Sequence, residues 1–325
     1  MLTKRENMLE AVRGGNPDRF VNQYEALNMV VVNPVSAQSP YPSAPGQTVV
    51  DAWGVTHSFV PGTPGPFPVL DDEHKVLKDI TNWREAVKAP NLIYPEELWM
   101  EMKAKFVDPI DRNEEFVTAF HAVGLFERAH YLMDITDCLM NLYEEPEEMH
   151  ALLDYLTEWE VRYAEEVCKY YQPDALFFHD DWGTQHSSFM SPAMFEEFFV
   201  ERYKRIYDTY RRGGVQLIIH HCDSYAANLV PYMIEMGIDV WQGCLTTNDL
   251  PKLIKEYGER ISFMGGIDNG AVDHADWTQE KIDEYVGKIC TECGNKHFLP
   301  CMCAGMPGSA NPGVYEAVCA AIAKQ

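Results

Sequence analysis

The sequence predicts a single α/β domain over residues 1–325, folded as a TIM (β/α)8 barrel with an N-terminal extension and a long Pro/Gly-rich loop. The chain has 325 residues, which is within the usual length of one such barrel with insertions. Amphipathic helical stretches, each followed by a glycine and a short apolar run, recur through its second half. Reactive polar residues directly follow several of these runs, where a barrel places its active site.

The helix–strand repeat is clearest in three units of the second half. Each predicted helix ends at a glycine, which permits the left-handed turn that often follows a helix. Each predicted strand is an apolar run typical of a buried parallel strand. The helix, glycine and strand of the three units are 226–236, Gly237 and 238–241; 250–257, Gly258 and 261–264; and 281–293, Gly294 and 297–300.

Four earlier apolar runs predict further strands. Between the last two of them, Ser191-Pro192 predicts the start of a helix, because serine caps a helix and proline favours its first turn. Another helix is predicted to begin near Pro146. The four strands are predicted at residues 23–27, 116–120, 175–178 and 215–219. With the three units above they make seven barrel strands, and the sequence does not reveal the eighth.

The segment 35–70 is the predicted loop. It is rich in proline and glycine and contains Trp53-Gly54, which favours an ordered loop over a second domain. A loop of this length that precedes the second strand can cover the open end of the barrel. We therefore expect it to act as a lid.

Composition excludes several classes of partner. The chain carries 50 acidic and 26 basic residues, a net charge of −24, which repels nucleic-acid phosphates and anionic lipid surfaces. No apolar run approaches the ~20 residues of a membrane span. The polar start of the chain lacks a secretory signal, so a cytoplasmic location is expected. The sequence leaves open whether the chain is a monomer or a homodimer.

The candidate active-site residues are polar side chains at the ends of the predicted strands and in the loops that follow. In a TIM barrel these ends form one open mouth. The candidates are His121, His179, Asp180, Asp181, His220, His221, Cys222, Gln242, Cys244, Asp268, Cys301 and Cys303.

The sharpest metal candidate is His220-His221-Cys222. Residues two apart on a strand project to the same side, so His220 and Cys222 are expected to share one space with Cys301 or Cys303 from the last strand. Two thiolates and one imidazole favour zinc, and three ligands leave a fourth position open for catalysis. Nine cysteines, an odd number, also favour thiol or metal chemistry over disulfides. The alternative is a core histidine beside an inert buried thiol.

Other candidates have two interpretations each. Asp180 and Asp181 either cap local backbone or contact substrate and protons. Glu127 pairs with Arg128 on a helix surface or belongs to the site, and Trp53 packs the lid or faces substrate. Aromatic residues suit a flat, neutral substrate, and those expected at the mouth are Trp53, Phe126, Phe178 and Trp182.

Several motifs together resemble the uroporphyrinogen decarboxylase superfamily, specifically its corrinoid-dependent methyltransferase branch. The resemblance spans nearly the whole chain. The matching motifs are Asn16-Pro17-Asp18-Arg19, Asp51-Ala52-Trp53-Gly54, Asp180-Asp181-Trp182-Gly183-Thr184-Gln185, Ser191-Pro192, His220-x-Cys222, Met236-Gly237-Ile238-Asp239, Gly265-Gly266-Ile267-Asp268 and the final cysteine region.

The resemblance implies a zinc-dependent methyltransferase of the O-demethylase type. It implies that His220, Cys222 and Cys301 hold zinc, with Cys303 as a competitor for the third position. The methyl group would pass between a small methoxylated or N-methylated compound and the cobalt of a corrinoid. No Asp-x-His-x-x-Gly cobalamin sequence occurs here, so a partner corrinoid-binding protein is expected to supply the cofactor.

Proton transfer and substrate binding are assigned to further residues. Asp181 and His121 are the expected catalytic residues for proton delivery. The expected substrate-binding residues are Trp53, Phe126, Glu127, Phe178, Asp180, Trp182 and Asp268.

Two other activities stay open. The same site could run towards a thiol acceptor, as a methylcobalamin:thiol methyltransferase. A uroporphyrinogen decarboxylase is the other alternative, but the stretch at 22–27, where that enzyme carries arginines for substrate carboxylates, is Asn-Gln-Tyr-Glu-Ala-Leu here. Methyl transfer accounts for both this departure and the zinc-ligand pattern.

Overall fold

The computed structural model describes residues 1–63 and 65–325, and its largest element is one parallel sheet of seven strands. Three short strands form a second, antiparallel sheet. The strands are β1 (Leu27–Val30), β2 (Thr48–Val50), β3 (Thr56–Ser58), β4 (Phe67–Pro68), β5 (Phe116–Ala122), β6 (Ala175–His179), β7 (Leu217–His221), β8 (Val240–Cys244), β9 (Ser262–Ile267) and β10 (Phe298–Met302).

Helices connect the parallel strands and cover the outside of the sheet. They are α1 (Lys4–Val12), α2 (Pro34–Ala37), α3 (Trp83–Ala86), α4 (Glu96–Phe106), α5 (Leu125–Met133), α6 (Ile135–Glu144), α7 (Pro146–Tyr171), α8 (Pro192–Phe195), α9 (Glu201–Arg212), α10 (Val230–Glu235), α11 (Leu250–Tyr257), α12 (Asn269–Val272), α13 (Gln279–Cys293) and α14 (Val314–Ile322). As predicted, α8 begins at proline after Ser191, whose side chain accepts from Met194 N. Within the described residues, none of these helices has both the length and the apolar character of a membrane-crossing segment.

The strand order confirms the predicted barrel-type fold. The parallel sheet runs β1-β5-β6-β7-β8-β9-β10, so each strand pairs with its neighbours along the chain and the sheet curls into a barrel wall. Six of the seven predicted strands overlap observed ones by at least two residues. The first prediction, 23–27, shares only Leu27 with β1, because residues 23–26 form a turn. Local hydrogen bonds hold that turn, including Leu27 N to Tyr24 O at 2.8 Å.

Side chains bridge the place where an eighth strand was expected. Within the described residues the parallel sheet has seven strands, and no ladder joins β1 to β10. The backbone N–H of Met302, at the end of β10, donates instead to Oε1 of Gln23 at 3.1 Å. The Tyr24 hydroxyl donates to the carbonyl of Ala304. The turn before β1 thus satisfies polar groups that strand pairing would otherwise satisfy.

Alternation along the strands separates two cores. Phe177 and Ile219 point into the barrel with Met264, whereas Phe178 and Ile218 pack outside it against the helices. Burial of each such side chain contributes about 1.5–3 kcal/mol. Because the pattern continues past the strand ends, adjacent residues there face opposite sides of the wall.

In its described residues, the segment 35–70 contains the antiparallel sheet of β2, β3 and β4. Asp51 organises its turn, because Oδ1 accepts from the backbone N–H groups of Trp53 and Val55, both at 2.9 Å. Oδ2 lies 3.3 Å from Nη1 of Arg128 on α5. Trp53 and His57 line the cavity at the barrel mouth, so this segment forms one of its walls.

We expect Gln23→Ala to lower the free energy of unfolding by about 1–3 kcal/mol. The substitution leaves the buried Met302 N–H without its acceptor, and an unsatisfied buried donor costs that much. Urea unfolding followed by circular dichroism measures the change. Gln38→Ala, at an exposed position, is the matched control. Equal stability of the two variants would show that the side-chain bridge contributes nothing.

Candidate active site and metal centre

A cavity of about 1680 Å³ opens at the carboxyl ends of the parallel strands. It is acidic, and among the described lining residues Arg128 is the single arginine or lysine. Aromatic side chains from the lid segment and α7, including Trp53 and Trp159, form part of the wall. The carboxylates of the lining are Asp51, Glu127, Asp181, Asp223, Asp268 and Asp273.

His179, Asp181 and His221 form a candidate metal centre in this mouth. One ligand atom of each lies within 4.8 Å of the others, and within the described residues this is the single group of three or more such side chains. His179 ends β6 and is paired in register with His221 at the end of β7, which brings the two rings to 4.4 Å between centroids. Asp181 lies two residues beyond His179 and lines the same cavity.

In both His179 and His221, the Nδ1 atom is hydrogen-bonded to a neighbouring side chain. His179 Nδ1 lies 2.9 Å from Oε2 of Glu127, and His221 Nδ1 is hydrogen-bonded to Oε1 of Gln242. Gln242 donates its amide N–H groups to the carbonyls of Met302 and Ala304, both at 3.3 Å, so its oxygen must face the ring. His221 therefore carries its proton on Nδ1 and presents the Nε2 lone pair, which lies 3.9 Å from Asp181 Oδ1. Partners of this kind orient metal-binding imidazoles in proteins.

The surroundings of His179 and His221 shift their pKa values in opposite directions. Burial lowers the pKa of His221 to about 4, so its ring is neutral, as a metal ligand requires. Burial alone would also lower the pKa of His179, but the carboxylates of Glu127 and Asp181 outweigh it and raise that pKa to about 10. Burial, together with the Asp181 carboxylate, raises the pKa of Asp223 to about 8. The carboxylates that favour a proton on His179 would equally favour a metal cation, whose binding displaces that proton.

The structure does not bring the predicted ligands His220, Cys222 and Cys301 into one group. Both ring nitrogens of His220 are engaged outside the barrel, Nδ1 with the Tyr207 hydroxyl at 2.7 Å and Nε2 with a backbone carbonyl at 3.1 Å. Cys222 Sγ lies 2.8 Å from the Ser224 hydroxyl, and burial raises the pKa of its thiol. Cys301 points into the interior core below the mouth. The three side chains do not converge, because His220 and Cys222 lie on the face of β7 opposite to His221.

Four expected substrate-binding residues also lie outside the cavity. Phe126, Phe178 and Trp182 pack between the sheet and the helices, fully buried. The carboxylate of Asp180 accepts from the backbone N–H groups of Phe126 and Glu127, both at 2.9 Å, and from the Tyr203 hydroxyl. A Cβ at Gly124 would collide with it. Asp180 thus holds the N-terminus of α5 and has no access to substrate.

The remaining predicted residues do line the cavity. Trp53, Glu127 and Asp268 do so, and so do Asp181 and His121. Asp268 also accepts from Gly270 N at 2.9 Å at the start of α12. The buried ring of His121 places Nε2 within 3.0 Å of Oε1 of Glu160. Cys303, the competing ligand, reaches the cavity, but it is not part of the metal group.

The contributions of His179, His221, Gln242 and Arg128 were missed or misjudged from the sequence. His220-His221-Cys222 offers a histidine to either face of the strand, so the motif by itself does not select one. The available signal was the neighbouring His179-x-Asp181, whose spacing matches an inward face that already starts at Phe177.

Comparison with known proteins assigns the chain to a family. A sequence profile described as uroporphyrinogen decarboxylase (URO-D) matches residues 48–325, most of the chain. The chain belongs to the uroporphyrinogen decarboxylase family. Uroporphyrinogen decarboxylase 2, chloroplastic, of Oryza sativa subsp. japonica is 26% identical over 231 residues, covering 66% of this chain and 55% of that protein. Uroporphyrinogen decarboxylase, chloroplastic, of Nicotiana tabacum is 25% identical over 253 residues, covering 72% and 58%.

This family member spans little more than half the length of these curated relatives. Its fold matches a solved structure over the whole chain. A methyltransferase from Methanosarcina mazei superposes with a TM-score of 0.69 at 14% identity, covering 100% of this chain and 99% of that one. The likeness establishes a shared architecture.

Adjacent histidines provide a direct test of the metal centre. We expect His221→Asn to lose bound zinc and His220→Asn to retain it, because only the ring of His221 lies in the group with His179 and Asp181. Elemental analysis of each variant after dialysis against zinc measures the metal per chain. Loss of zinc from the His220 variant alone would restore the ligand set expected from the sequence.

Adjacent aspartates provide the corresponding test of stability. We expect Asp180→Ala to lower the free energy of unfolding by about 3 kcal/mol or more, because it leaves two backbone N–H groups and a tyrosine hydroxyl without their buried acceptor. Asp181→Ala in metal-free protein is the control, with an expected change of less than about 1 kcal/mol. Urea unfolding measures both, and an unchanged stability of the Asp180 variant would contradict the structural role.

Proposed function

We propose that this chain is a zinc-dependent methyltransferase that moves a methyl group between a small methoxylated or N-methylated compound and the cobalt of a corrinoid on a separate protein. The observation that carries the proposal is the group of His179, Asp181 and His221 at the mouth of the barrel. Decarboxylation needs no metal, whereas transfer from an ether or amine benefits from a cation at the leaving atom.

The donor set fits zinc. Two imidazoles and one carboxylate form known catalytic zinc sites, in which a fourth position stays open for water or substrate. Glu127 is hydrogen-bonded to Nδ1 of His179, and Gln242 to Nδ1 of His221. Both rings therefore keep one orientation. When bound, zinc supplies Lewis acidity that stabilises negative charge on a leaving oxygen or nitrogen.

His121 is the proposed proton donor of the reaction. Its ring lines the cavity, and its Nε2 is hydrogen-bonded to Glu160, which is itself buried. A carboxylate bonded to one ring nitrogen fixes the orientation of the imidazole and the direction in which its other nitrogen points. His121 would donate a proton to the leaving heteroatom of the substrate. Asp181, expected from the sequence to act in proton transfer, would serve as a metal ligand.

The size of the cavity favours a second large reactant. Sites for drug-sized ligands usually measure about 300–1000 Å³, and this cavity holds about 1680 Å³. A small methyl donor leaves room for the edge of a corrin ring presented by a partner. The structural neighbour is described as a methyltransferase, which supports a methyl-transfer function for the same architecture.

Uroporphyrinogen decarboxylase is the second candidate, because the curated relatives carry that name. Its substrate bears many carboxylates, which need cationic partners. The described lining of this cavity has Arg128 as its single arginine or lysine and six carboxylates of its own. This charge balance favours the methyltransferase.

The test is methyl transfer by zinc-loaded protein to free reduced cobalamin. We expect loss of the absorbance of reduced cobalamin with a subset of methoxylated or N-methylated compounds, and no reaction after chelation of zinc. His121→Gln should slow the reaction with methoxylated donors by about 100-fold, the usual contribution of a general acid. His150→Gln, on the outside of the barrel where His150 stacks on Phe198, is the matched control. Carboxyl loss from uroporphyrinogen by metal-free protein, without methyl transfer, would favour the second candidate.

A further inference from the structure

Arg128 is a buried cation whose hydrogen-bonding capacity is mostly unused. Its side chain is 12% exposed and lines the cavity, one residue along α5 from Glu127. A guanidinium has five N–H donors. Within the described residues Arg128 donates one hydrogen bond, from Nη1 to Asp51 Oδ2 at 3.3 Å, and its buried Nε has no partner. Leaving such donors unpaired costs free energy unless a ligand accepts from them.

Asp51 accepts from only one of the N–H donors of Arg128. Its Oδ1 already accepts from the backbone of Trp53 and Val55, and its Oδ2 is shared with Nε2 of His57 at 3.1 Å. The carboxylate therefore divides its two oxygens among four donors. Its contact with Arg128 positions the guanidinium and leaves the other edge of that group for a second acceptor.

The plane of the guanidinium is also held. Arg128 Cζ lies 5.0 Å from the centroid of the Trp53 ring, a distance at which the cation and the aromatic face attract each other. Trp53 comes from the lid segment and α5 from the barrel, so both parts of the wall fix the group. A planar guanidinium held in one orientation suits a carboxylate, which accepts two parallel hydrogen bonds from arginine.

Three of the six acidic residues of the cavity, Asp223, Asp268 and Asp273, follow strands farther along the sheet than β5 and β6. Arg128 follows β5, whereas Asp223 follows β7 and Asp268 follows β9. In the sheet order, β6, β7 and β8 separate β5 from β9. Glu127, the acidic neighbour on the same helix, is paired with His179. The two carboxylates next to Arg128, Asp51 and Glu127, are each already paired, so an anionic group at Arg128 meets less repulsion than it would beside Asp223 or Asp268.

We propose that Arg128 binds a carboxylate group of the methyl donor and so determines substrate specificity. This inference rests on the proposed function and names the substrate class, a methoxylated or N-methylated carboxylic acid. The carboxylate accepts from Arg128, and the methyl-bearing end extends towards His179, which Glu127 links to the same helix. Asp51 and Trp53 position the guanidinium.

The experiment measures binding to zinc-loaded protein by titration calorimetry with matched pairs of ligands. The pairs are 4-methoxybenzoate with 4-methoxybenzamide, and N,N-dimethylglycine with its amide. Within each pair only the carboxylate changes to a neutral isostere. We expect at least one acid to bind about 10- to 100-fold more tightly than its amide. Arg128→Gln should reduce that preference to less than about 2-fold, and Arg128→Lys should restore part of it.

Arg112→Gln is the matched control. Arg112 also pairs with a single aspartate, Asp174, which precedes β6 at the opposite end of the barrel. This variant should keep the full preference for the acid. Thermal unfolding of each variant establishes that the barrel is folded before binding is compared.

The outcomes separate this inference from the proposed function. Equal binding of acid and amide in every pair, no binding of either acid, or an unchanged preference in Arg128→Gln overturns the role of Arg128. Methyl transfer from donors without a carboxylate at equal affinity overturns it while the methyltransferase function stands. If acids bind more tightly through Arg128 but no methyl transfer occurs, the methyltransferase function is contradicted and the carboxylate site stands.

Discussion

The registered pairing of β6 with β7 is the constraint on which the site depends. It sets His179 beside His221 and thereby places two imidazoles at one point of the barrel mouth. The same pairing, combined with alternation along each strand, sends Phe178 and His220 to the outer core. A one-residue shift in register would exchange the two faces and would put the ring nitrogens of the two histidines among the helices.

Residues that do not touch the cavity maintain this arrangement. Asp180 holds the start of α5, and α5 carries Glu127 and Arg128 to the mouth. Gln242 is anchored by the carbonyls after β10 and in turn orients His221. The hydrogen bonds around the rings therefore connect β8, β10 and α5, so the geometry of the centre is a property of the whole upper barrel.

The segment 35–70 contributes charge and shape to the site. Asp51 lies in a turn closed by its own backbone contacts, and its second oxygen reaches across to Arg128. Trp53 covers the guanidinium from the same side. The acidic mouth and the large cavity it encloses are thus bounded by two separate parts of the chain, the strand ends and the segment before β5.

The sequence by itself determined the fold class, six of the barrel strands, the family resemblance and the end of the barrel at which the cavity opens, because apolar periodicity and glycine stops are local signals. It also identified His121, Asp181 and Glu127 as residues of the mouth. Tertiary structure alone decided which member of His220-His221-Cys222 faces inward, since an isolated polar triplet fits either face of a strand. It likewise decided that Gln23 and Tyr24 bridge the barrel in place of an eighth strand, because those contacts join residues 279 and 280 positions apart.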